Sequence, residues 1–221
     1  MLPLRDDNPR HGPAVVVGLL LAANTLVFVL MLGLDRFEAL RVVARYGFVP
    51  ALFFAAPLEQ GYRLVSALFL HGGLGHLLGN MIFLWVFGDN VEDRLGHLRF
   101  ALFYLLGGVV ATLAHALLTT DSRLPLIGAS GAISALLGAY LRLFPRQRIL
   151  TLILPFFLLW LPAWLYLGYW GFIQLLQASG SLMATMRDSS VDEVAWWAHV
   201  GGFAFGFVAV PRFLKPAYRH P

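Results

Sequence analysis

The sequence predicts an all-α membrane protein with six transmembrane helices. Of its 221 residues, 59% are hydrophobic and only 13% are charged, whereas about 25% of the residues of an ordinary soluble domain are charged. Several apolar runs approach the length of about 20 residues that a helix needs to cross a bilayer. One run is shorter than the others and begins with small polar residues, so we expect one helix of the bundle to differ in purpose.

Six apolar spans can be placed along the chain. The first begins after Pro13 and is too long for the apolar core of a signal peptide, so we expect it to be retained. The predicted spans are residues 14–34, 66–88, 98–118, 128–143, 149–175 and 194–213. They predict an N-terminal tail at 1–13, one six-helix domain at 14–213 and a C-terminal tail at 214–221.

The distribution of basic residues predicts the orientation in the membrane. An even number of spans places both termini on one side, and the loops of that side carry ten Arg and Lys residues against six on the other. Because positive residues favour the cytoplasmic side, we expect both termini in the cytoplasm. The excess of Arg over Lys and the short chain suggest a bacterial inner membrane. Basic residues placed between apolar runs indicate a lipid bilayer as partner and no nucleic acid.

Two parts of the chain have more than one interpretation. Residues 35–63 are polar and aromatic, which fits amphipathic pieces in the membrane interface and equally a folded extramembrane loop. Span five contains Pro155 and Pro162, and proline kinks a helix by removing a hydrogen bond. We expect a kinked helix, either a mobile lateral wall or a lipid-facing helix with aromatic residues at the interface. Residues 177–193, rich in Ser, Gly and Asp, predict a movable cap.

The shortest span carries a serine at its start. Its apolar part, Ile127 to Tyr140, follows a polar approach, so the helix would begin at membrane depth near Ser130. A helix N-terminus offers free backbone N–H groups and a positive dipole end to a developing anion. Gly128 and Gly131 permit close approach because they carry no Cβ. Taken alone, this Gly-x-Ser-Gly pattern also fits ordinary packing of small residues in membrane helices.

A histidine near the start of the last span can supply a base to that serine. His199, Gly202 and Gly206 fall on one helix face, where the two glycines allow close packing of a neighbouring helix. The shortest span has a matching face of small residues at Gly131, Ser134, Ala135 and Gly138. A serine nucleophile needs its base within about 2.6–3.2 Å, which such packing can provide. The alternative is a histidine bonded to a backbone carbonyl.

Span two contains a third polar group. His76 and Asn80 are four residues apart and share a helix face, and both can donate hydrogen bonds to a developing oxyanion. His71 lies at the start of the same span. A buried polar network that fixes helix packing is the alternative interpretation of these three residues.

The three groups together resemble the rhomboid intramembrane serine proteases. The patterns His-x4-His-x3-Asn, Gly-x-Ser-Gly and Ala-His-x-x-Gly-x-x-x-Gly follow one another on spans two, four and six, and the resemblance covers about residues 60–210. It implies a rhomboid-type bundle whose short central helix carries the nucleophile Ser130. His199 would be the base of a dyad that has no acidic third member.

The resemblance also implies the remaining site residues and the reaction. His76 and Asn80 would be the oxyanion donors together with the Ser130 N–H, and His71 would be structural. The substrates would be transmembrane segments of membrane proteins, cleaved without a metal or cofactor. Some members of the family place a tyrosine four residues after the nucleophile, stacked on the catalytic histidine, whereas this chain has Ser134 there.

The departures in the first loop are smaller. Arg63 matches the arginine of the family's first-loop motif, but Tyr62 stands where tryptophan is often found. Gln60 takes the place of an expected acidic residue, and Glu59 is one position away. Neither the departure at Gln60 nor the one at Ser134 affects the residues of the predicted dyad.

Three other functions compete with that of an active rhomboid protease. A metalloprotease would use His71, His76, His115 and His199, but the His-Glu-x-x-His pattern is missing from the sequence. A channel or transporter would use His115 and Asp89 as relay groups, and the sequence shows no internal repeat to support it. An inactive rhomboid-like protein that binds client transmembrane helices typically lacks the serine or the histidine, and this sequence contains both.

Overall fold

The computed structural model of the protein describes residues 1–153, 157–186 and 195–218. Its helices in this part of the chain are α1 (Val15–Leu32), α2 (Arg36–Tyr46), α3 (Pro50–Ala55), α4 (Pro57–Gln60), α5 (Arg63–Ser66), α6 (Leu74–Leu95), α7 (His97–Ala116), α8 (Ser130–Leu143), α9 (Ala163–Met186) and α10 (Trp196–Phe213). Short 3₁₀ helices lie at Ala67–Phe69 and Pro216–Tyr218. The strands are β1 (Leu2–Asp6), β2 (Arg148–Ile153) and β3 (Phe157–Pro162).

The fold is mainly helical, as predicted, but it is not all-α, because the three strands form an antiparallel sheet in the order β1-β2-β3. Within the described residues, the helices α1 and α7 are long and apolar enough to cross a membrane. A third crossing is possible if α6 is joined to the segment Pro57–Phe69, from which it is bent by 84°. The count of six spans therefore stays a prediction.

Helix α8 is the centre of the bundle. Its residues from Gly131 to Tyr140 are all buried, and α6, α7, α9 and α10 pack around it. Aromatic rings support its C-terminal end: the ring of Tyr140 lies 5.0 Å from that of Phe87, which in turn stacks on Tyr166 at 6.2 Å. A helix surrounded on all sides has little freedom to shift, so its N-terminal residue is held in a defined place.

Glycines allow α8 and α10 to touch along their backbones. A Cβ added at Gly202 would collide with the carbonyl oxygen of Gly131, and one added at Gly206 would collide with that of Ala135. In the other direction, a Cβ at Gly138 would collide with the carbonyl oxygen of Phe203. The close contact that the sequence predicted for these small faces is present in the structure.

The connection between α1 and α6 folds against the body of the protein. Asp35 and Glu38 form a reciprocal capping box at the start of α2. The buried guanidinium of Arg63 donates to the carbonyl oxygens of Ala44 (2.7 Å) and Gly47 (2.8 Å). Phe48, which is fully buried, pairs through its backbone with Leu126 in the approach to α8. The connection therefore supports the segment that leads into α8.

The predicted bounds of span two, 66–88, are wrong. Residues 63–69 form α5 and a 3₁₀ turn, and α6 runs from Leu74 to Leu95 after Gly72 and Gly73. The prediction ended the span where charged residues begin, but the helix continues through them. One of them stabilises the bundle, because the buried carboxylate of Glu92 accepts the backbone N–H groups of Val16 (2.8 Å) and Val17 (2.9 Å) at the start of α1.

The predicted kinked helix at 149–175 is also wrong. Its first half forms β2 and β3, which pair antiparallel from Arg148 with Pro162 to Ile153 with Phe157. The periodicity of a short apolar run does not distinguish a strand from a buried helix, and for this reason the two strands were predicted as part of a helix. Pro162 ends β3 immediately before α9 and therefore kinks no helix, and Pro155 lies outside the described residues.

The prediction of a movable cap at 177–193 is wrong for its first part. Helix α9 continues to Met186, so residues 177–186 are helical instead of forming a loop. The rest of the predicted cap, residues 187–193, lies outside the described residues. Helix formation there extends α9 by about three turns.

The N-terminal segment packs on the end of the bundle opposite Ser130. Strand β1 pairs with β2, and the carboxylate of Asp6 accepts hydrogen bonds from the hydroxyl of Tyr140 and from Nδ2 of Asn90 (2.9 Å). Burial raises the pKa of Asp6 to about 6, with further contributions from Asp89 and Asp7, although the bond from Tyr140 acts in the opposite direction. The division of the chain into tails and domain stays a prediction.

Gly206→Ala is expected to destabilise the protein. The new methyl group would collide with the carbonyl oxygen of Ala135, and forced separation of packed helices costs about 1–3 kcal/mol. Gly168→Ala in α9 is the matched control, because no heavy atom lies within 4 Å of its added Cβ. Chemical unfolding in detergent should show a lower free energy of unfolding for Gly206→Ala and an unchanged or slightly higher one for Gly168→Ala. Equal stability of the two variants would contradict the close contact of α8 and α10.

Asp6 is expected to make the stability depend on pH. The ordinary pKa of 3.8 applies to the unfolded chain and the raised value of about 6 to the folded one, so the folded protein keeps the proton longer. The free energy of unfolding should therefore fall as the pH rises from about 4 to about 6. In Asp6→Asn that part of the pH dependence should disappear, as measured by thermal unfolding across this range. If stability depends on pH in the same way in the variant and in the wild type, the raised pKa of Asp6 does not cause the dependence.

Candidate active site

Two polar side chains from different helices meet at one end of the α8–α10 contact. Ser130 is the first residue of α8, and His199 lies in the first turn of α10. Nε2 of His199 is 2.8 Å from Oγ of Ser130, which is within the reach that a general base needs. The structure thus brings together two residues that are 69 positions apart in the sequence.

The other ring nitrogen of His199 also has a partner. Nδ1 lies 2.7 Å from Oε1 of Gln174, a buried residue of α9. The rings of Trp170 and Trp196 flank the imidazole, with centroids at 6.1 Å and 5.8 Å. Ser134, which occupies the position of the stacking tyrosine, instead donates to the carbonyl oxygen of Ser130 (2.7 Å). The imidazole is therefore held by α9 and by its own helix.

Sequence reasoning missed Gln174, Trp170 and Trp196. A usable signal existed, since the apolar run of 171–178 contains two glutamines, Gln174 and Gln177, and such a residue is costly in a membrane helix unless it has a partner. The two tryptophans gave no such signal, because aromatic residues are also common at membrane interfaces.

Gly128 brings His76 and Asn80 to the start of α8. Its φ of +119° is a conformation that other residues rarely adopt, and its N–H donates to the carbonyl oxygen of Ala67 (2.9 Å). A Cβ at this position would lie 2.7 Å from Nε2 of His76 and 3.7 Å from Nδ2 of Asn80. The two predicted donors therefore adjoin the segment that precedes Ser130.

Asn80 is a buried donor whose amide nitrogen is available to an acceptor. Its side chain is 7% exposed, and Nδ2 has no hydrogen-bond partner among the described residues. A buried donor without a partner is costly, and such groups at a cavity wall suit a ligand oxygen. His76 is more exposed, and its ring packs edge-on at 5.0 Å against the ring of the buried His71.

A cavity joins these residues. It has a volume of about 600 Å³, and Ser130, His199, His76 and Asn80 all contribute to its lining. Much of the remaining wall is apolar and is formed by side chains such as Leu68, Leu126, Ile133 and Leu137. Since one water occupies about 30 Å³ in the liquid, the cavity has room for an extended peptide segment together with water. The candidate nucleophile, the candidate base and the candidate donors thus face one cavity.

The ligand set of the metalloprotease alternative is not assembled. In the described ranges, no group of three or more His, Cys, Asp or Glu side chains is arranged to hold a metal ion. His71 and His76 are in ring contact, but His115 is buried on α7 and does not line the cavity. The prediction of four histidine ligands made for that alternative finds no support here.

Comparison with known proteins finds a matching family model and several relatives. The sequence model of a family described as "Rhomboid domain" matches residues 58–216. RHOMBOID-like protein 5 of Arabidopsis thaliana is 38% identical over 86 residues, which are 38% of this chain and 28% of that protein. The mitochondrial presenilin-associated rhomboid-like protein of Homo sapiens is 28% identical over 211 residues, which are 90% of this chain and 48% of that protein. This chain thus spans less than half the length of either relative.

Proposed function

The chain belongs to the rhomboid family, and we propose that it is a serine endopeptidase that cleaves transmembrane segments of other proteins within a lipid bilayer. The observation that carries this proposal is the contact of 2.8 Å between Oγ of Ser130 and Nε2 of His199. A serine hydroxyl is a weak nucleophile at neutral pH unless an adjacent base takes its proton. The contact supplies that base.

In the proposed reaction, Oγ of Ser130 attacks the carbonyl carbon of a peptide bond while its proton passes to Nε2 of His199. The tetrahedral intermediate then collapses, the C–N bond breaks, and the imidazolium returns the proton to the departing amine. The acyl chain remains on Ser130 as an ester. A water molecule, deprotonated by His199, attacks that ester, and the proton finally restores the serine hydroxyl as the acid is released.

The negative charge that develops on the carbonyl oxygen must be stabilised by hydrogen-bond donors. Three sources share the cavity with Ser130. They are Nδ2 of Asn80, which has no hydrogen-bond partner among the described residues, the imidazole of His76 at the cavity wall, and the backbone N–H groups at the start of α8, which a helix leaves free. The positive end of the α8 dipole acts in the same direction. Preorganised donors of this kind stabilise the transition state because they need not reorient as the charge forms.

The shape and polarity of the cavity suit an unwound membrane segment. Its largely apolar lining matches the side chains of a transmembrane helix, and the candidate reacting groups Ser130 and His199 lie in the same lining. A helical peptide bond is shielded by its own turn, so the segment must unwind before Ser130 can reach it. We propose that residues that weaken helices in the substrate favour cleavage, and that the segment enters beside α9, which forms the wall carrying Trp170 and Gln174.

The proposed location is an integral membrane one, with the two apolar helices α1 and α7 as its clearest anchors. Both termini are proposed to lie in the cytoplasm on the strength of the basic residues in the loops. The bacterial inner membrane stays a prediction, and one relative named above is mitochondrial by name.

A serine-directed probe tests the proposal. A fluorophosphonate is expected to label the purified protein in detergent at Ser130, and the label should be lost in Ser130→Ala and fall by at least about 10³-fold in rate in His199→Ala. A test transmembrane substrate should be cleaved by the wild type and by neither variant, with a chelator present or not. Ser179→Ala, an exposed serine on α9, is the matched control and should behave as the wild type.

Other outcomes would identify the alternatives. Activity retained in Ser130→Ala, or lost on chelation, would overturn the serine mechanism in favour of a metal-dependent one. A folded protein that binds the test segment but neither cleaves it nor reacts with the probe would be an inactive rhomboid-like binding protein, and the proposal would fail.

The oxyanion donors generate a separate expectation. His76→Ala and Asn80→Ala should each lower kcat by about 10²–10³-fold, the usual effect of removing one such donor, without unfolding the protein. Leu78→Ala, an exposed position on the same helix, serves as the control. Rates would be measured on the test substrate and folding by thermal unfolding. Wild-type kcat in both donor variants would remove them from the oxyanion site.

A further inference from the structure

The proposed catalysis requires one particular tautomer of His199. To accept the proton of Ser130, Nε2 must carry a free lone pair, so the ring proton must lie on Nδ1. In a neutral imidazole one nitrogen is a donor and the other an acceptor, and the hydrogen bond of one nitrogen sets the state of the other. An acceptor placed at Nδ1 therefore determines whether His199 acts as a base.

The structure contains such an acceptor. Oε1 of Gln174 lies 2.7 Å from Nδ1 of His199, and an amide oxygen can only accept. This partnership is not a general property of histidines in the bundle, because Nδ1 of His115 is buried without a hydrogen-bond partner among the described residues. Gln174 itself is 7% exposed, so water competes little for its oxygen.

We infer that Gln174 is the positioning residue of this site, a neutral third member that holds His199 in the tautomer and orientation a base requires. This inference rests on the proposed function. The glutamine orients the imidazole in a way that Ser134 cannot, since the hydroxyl of Ser134 is engaged by the carbonyl oxygen of Ser130. The rings of Trp170 and Trp196 restrict the remaining rotation of the imidazole.

A neutral amide suits this position better than a carboxylate. An unpaired carboxylate in an apolar, membrane-embedded wall is costly, whereas burying a glutamine costs only the desolvation of its amide, and the bond to His199 satisfies the oxygen. The amide also leaves His199 uncharged at rest. Its weakness relative to a carboxylate is that it stabilises the imidazolium less during the reaction.

Gln174 lies on a different helix from the proposed nucleophile and base. Nucleophile and base come from α8 and α10, but the positioning residue comes from α9, as does Trp170. A displacement of α9 by more than about 1 Å would lengthen the Gln174–His199 bond beyond the range of a good hydrogen bond. The wall beside which we propose the substrate enters is thus the element that holds the base ready.

Gln174→Met tests the inference, since it keeps the length of the side chain and removes the acceptor. We expect kcat to fall by about tenfold, the equivalent of one buried hydrogen bond, with KM unchanged within about twofold. Gln177→Met, exposed one turn away on the same helix, is the matched control and should equal the wild type. Wild-type kcat in a folded Gln174→Met would overturn the inference.

Gln174→Glu provides the second variant and covers the case in which the methionine variant does not fold. It retains an acceptor and adds negative charge, which favours the imidazolium. Activity should therefore persist, and the acid limb of the pH profile of kcat/KM should move to higher pH. A pH profile that coincides with that of the wild type would contradict a bond between residue 174 and His199.

Nitrogen NMR of labelled histidine separates failure of this inference from failure of the proposed function, because it needs no turnover. The wild type should show His199 protonated on Nδ1, and Gln174→Met should show a mixture of tautomers. A wild type that has this tautomer but neither reacts with a fluorophosphonate nor cleaves a substrate would refute the proposed function alone. A tautomer unaffected by Gln174→Met would refute the positioning role.

Discussion

The backbone contact between α8 and α10 is the constraint on which the site depends. Where Gly202 and Gly206 face Gly131 and Ala135, the two helices approach until carbonyl oxygens lie where a Cβ would otherwise be. Helix axes usually lie about 8–10 Å apart, at a distance set by the side chains at the contact, and the glycines remove those side chains from the contact of α8 and α10. Close packing of these helices brings Nε2 of His199 to 2.8 Å from Oγ of Ser130, although the two residues are 69 positions apart in the sequence.

Burial of α8 gives this contact its rigidity and its chemical environment. The helix is surrounded by packed neighbours, and its first residue, Ser130, lines the cavity. Gly128 then allows the chain to enter the helix directly against His76 and Asn80. His76, Asn80, Ser130 and His199 thus line one cavity with largely apolar walls, and electrostatic interactions are stronger in such surroundings than in water.

The polar groups at the two ends of α8 differ in whether their hydrogen bonds are satisfied. At one end Tyr140 and Asn90 anchor the N-terminal strand through Asp6, about 15 Å from Ser130 along a helix that rises about 1.5 Å per residue. These groups satisfy one another, which is what stabilises buried polar groups. At the Ser130 end, Nδ2 of Asn80 has no partner among the described residues, and an unsatisfied group of this kind is typical of a site that receives a ligand.

The mainly helical class, most helix positions and the four polar residues that meet at the cavity were all predictable from the residues alone. Helix spacing is a local property, so faces such as that of His76 with Asn80 and of Gly202 with Gly206 follow from residue numbers. The sheet and the contact of Gln174 with His199 became visible only in three dimensions. Both depend on partners distant in the chain, and an apolar run has the same composition whether it pairs as a strand or packs as a helix.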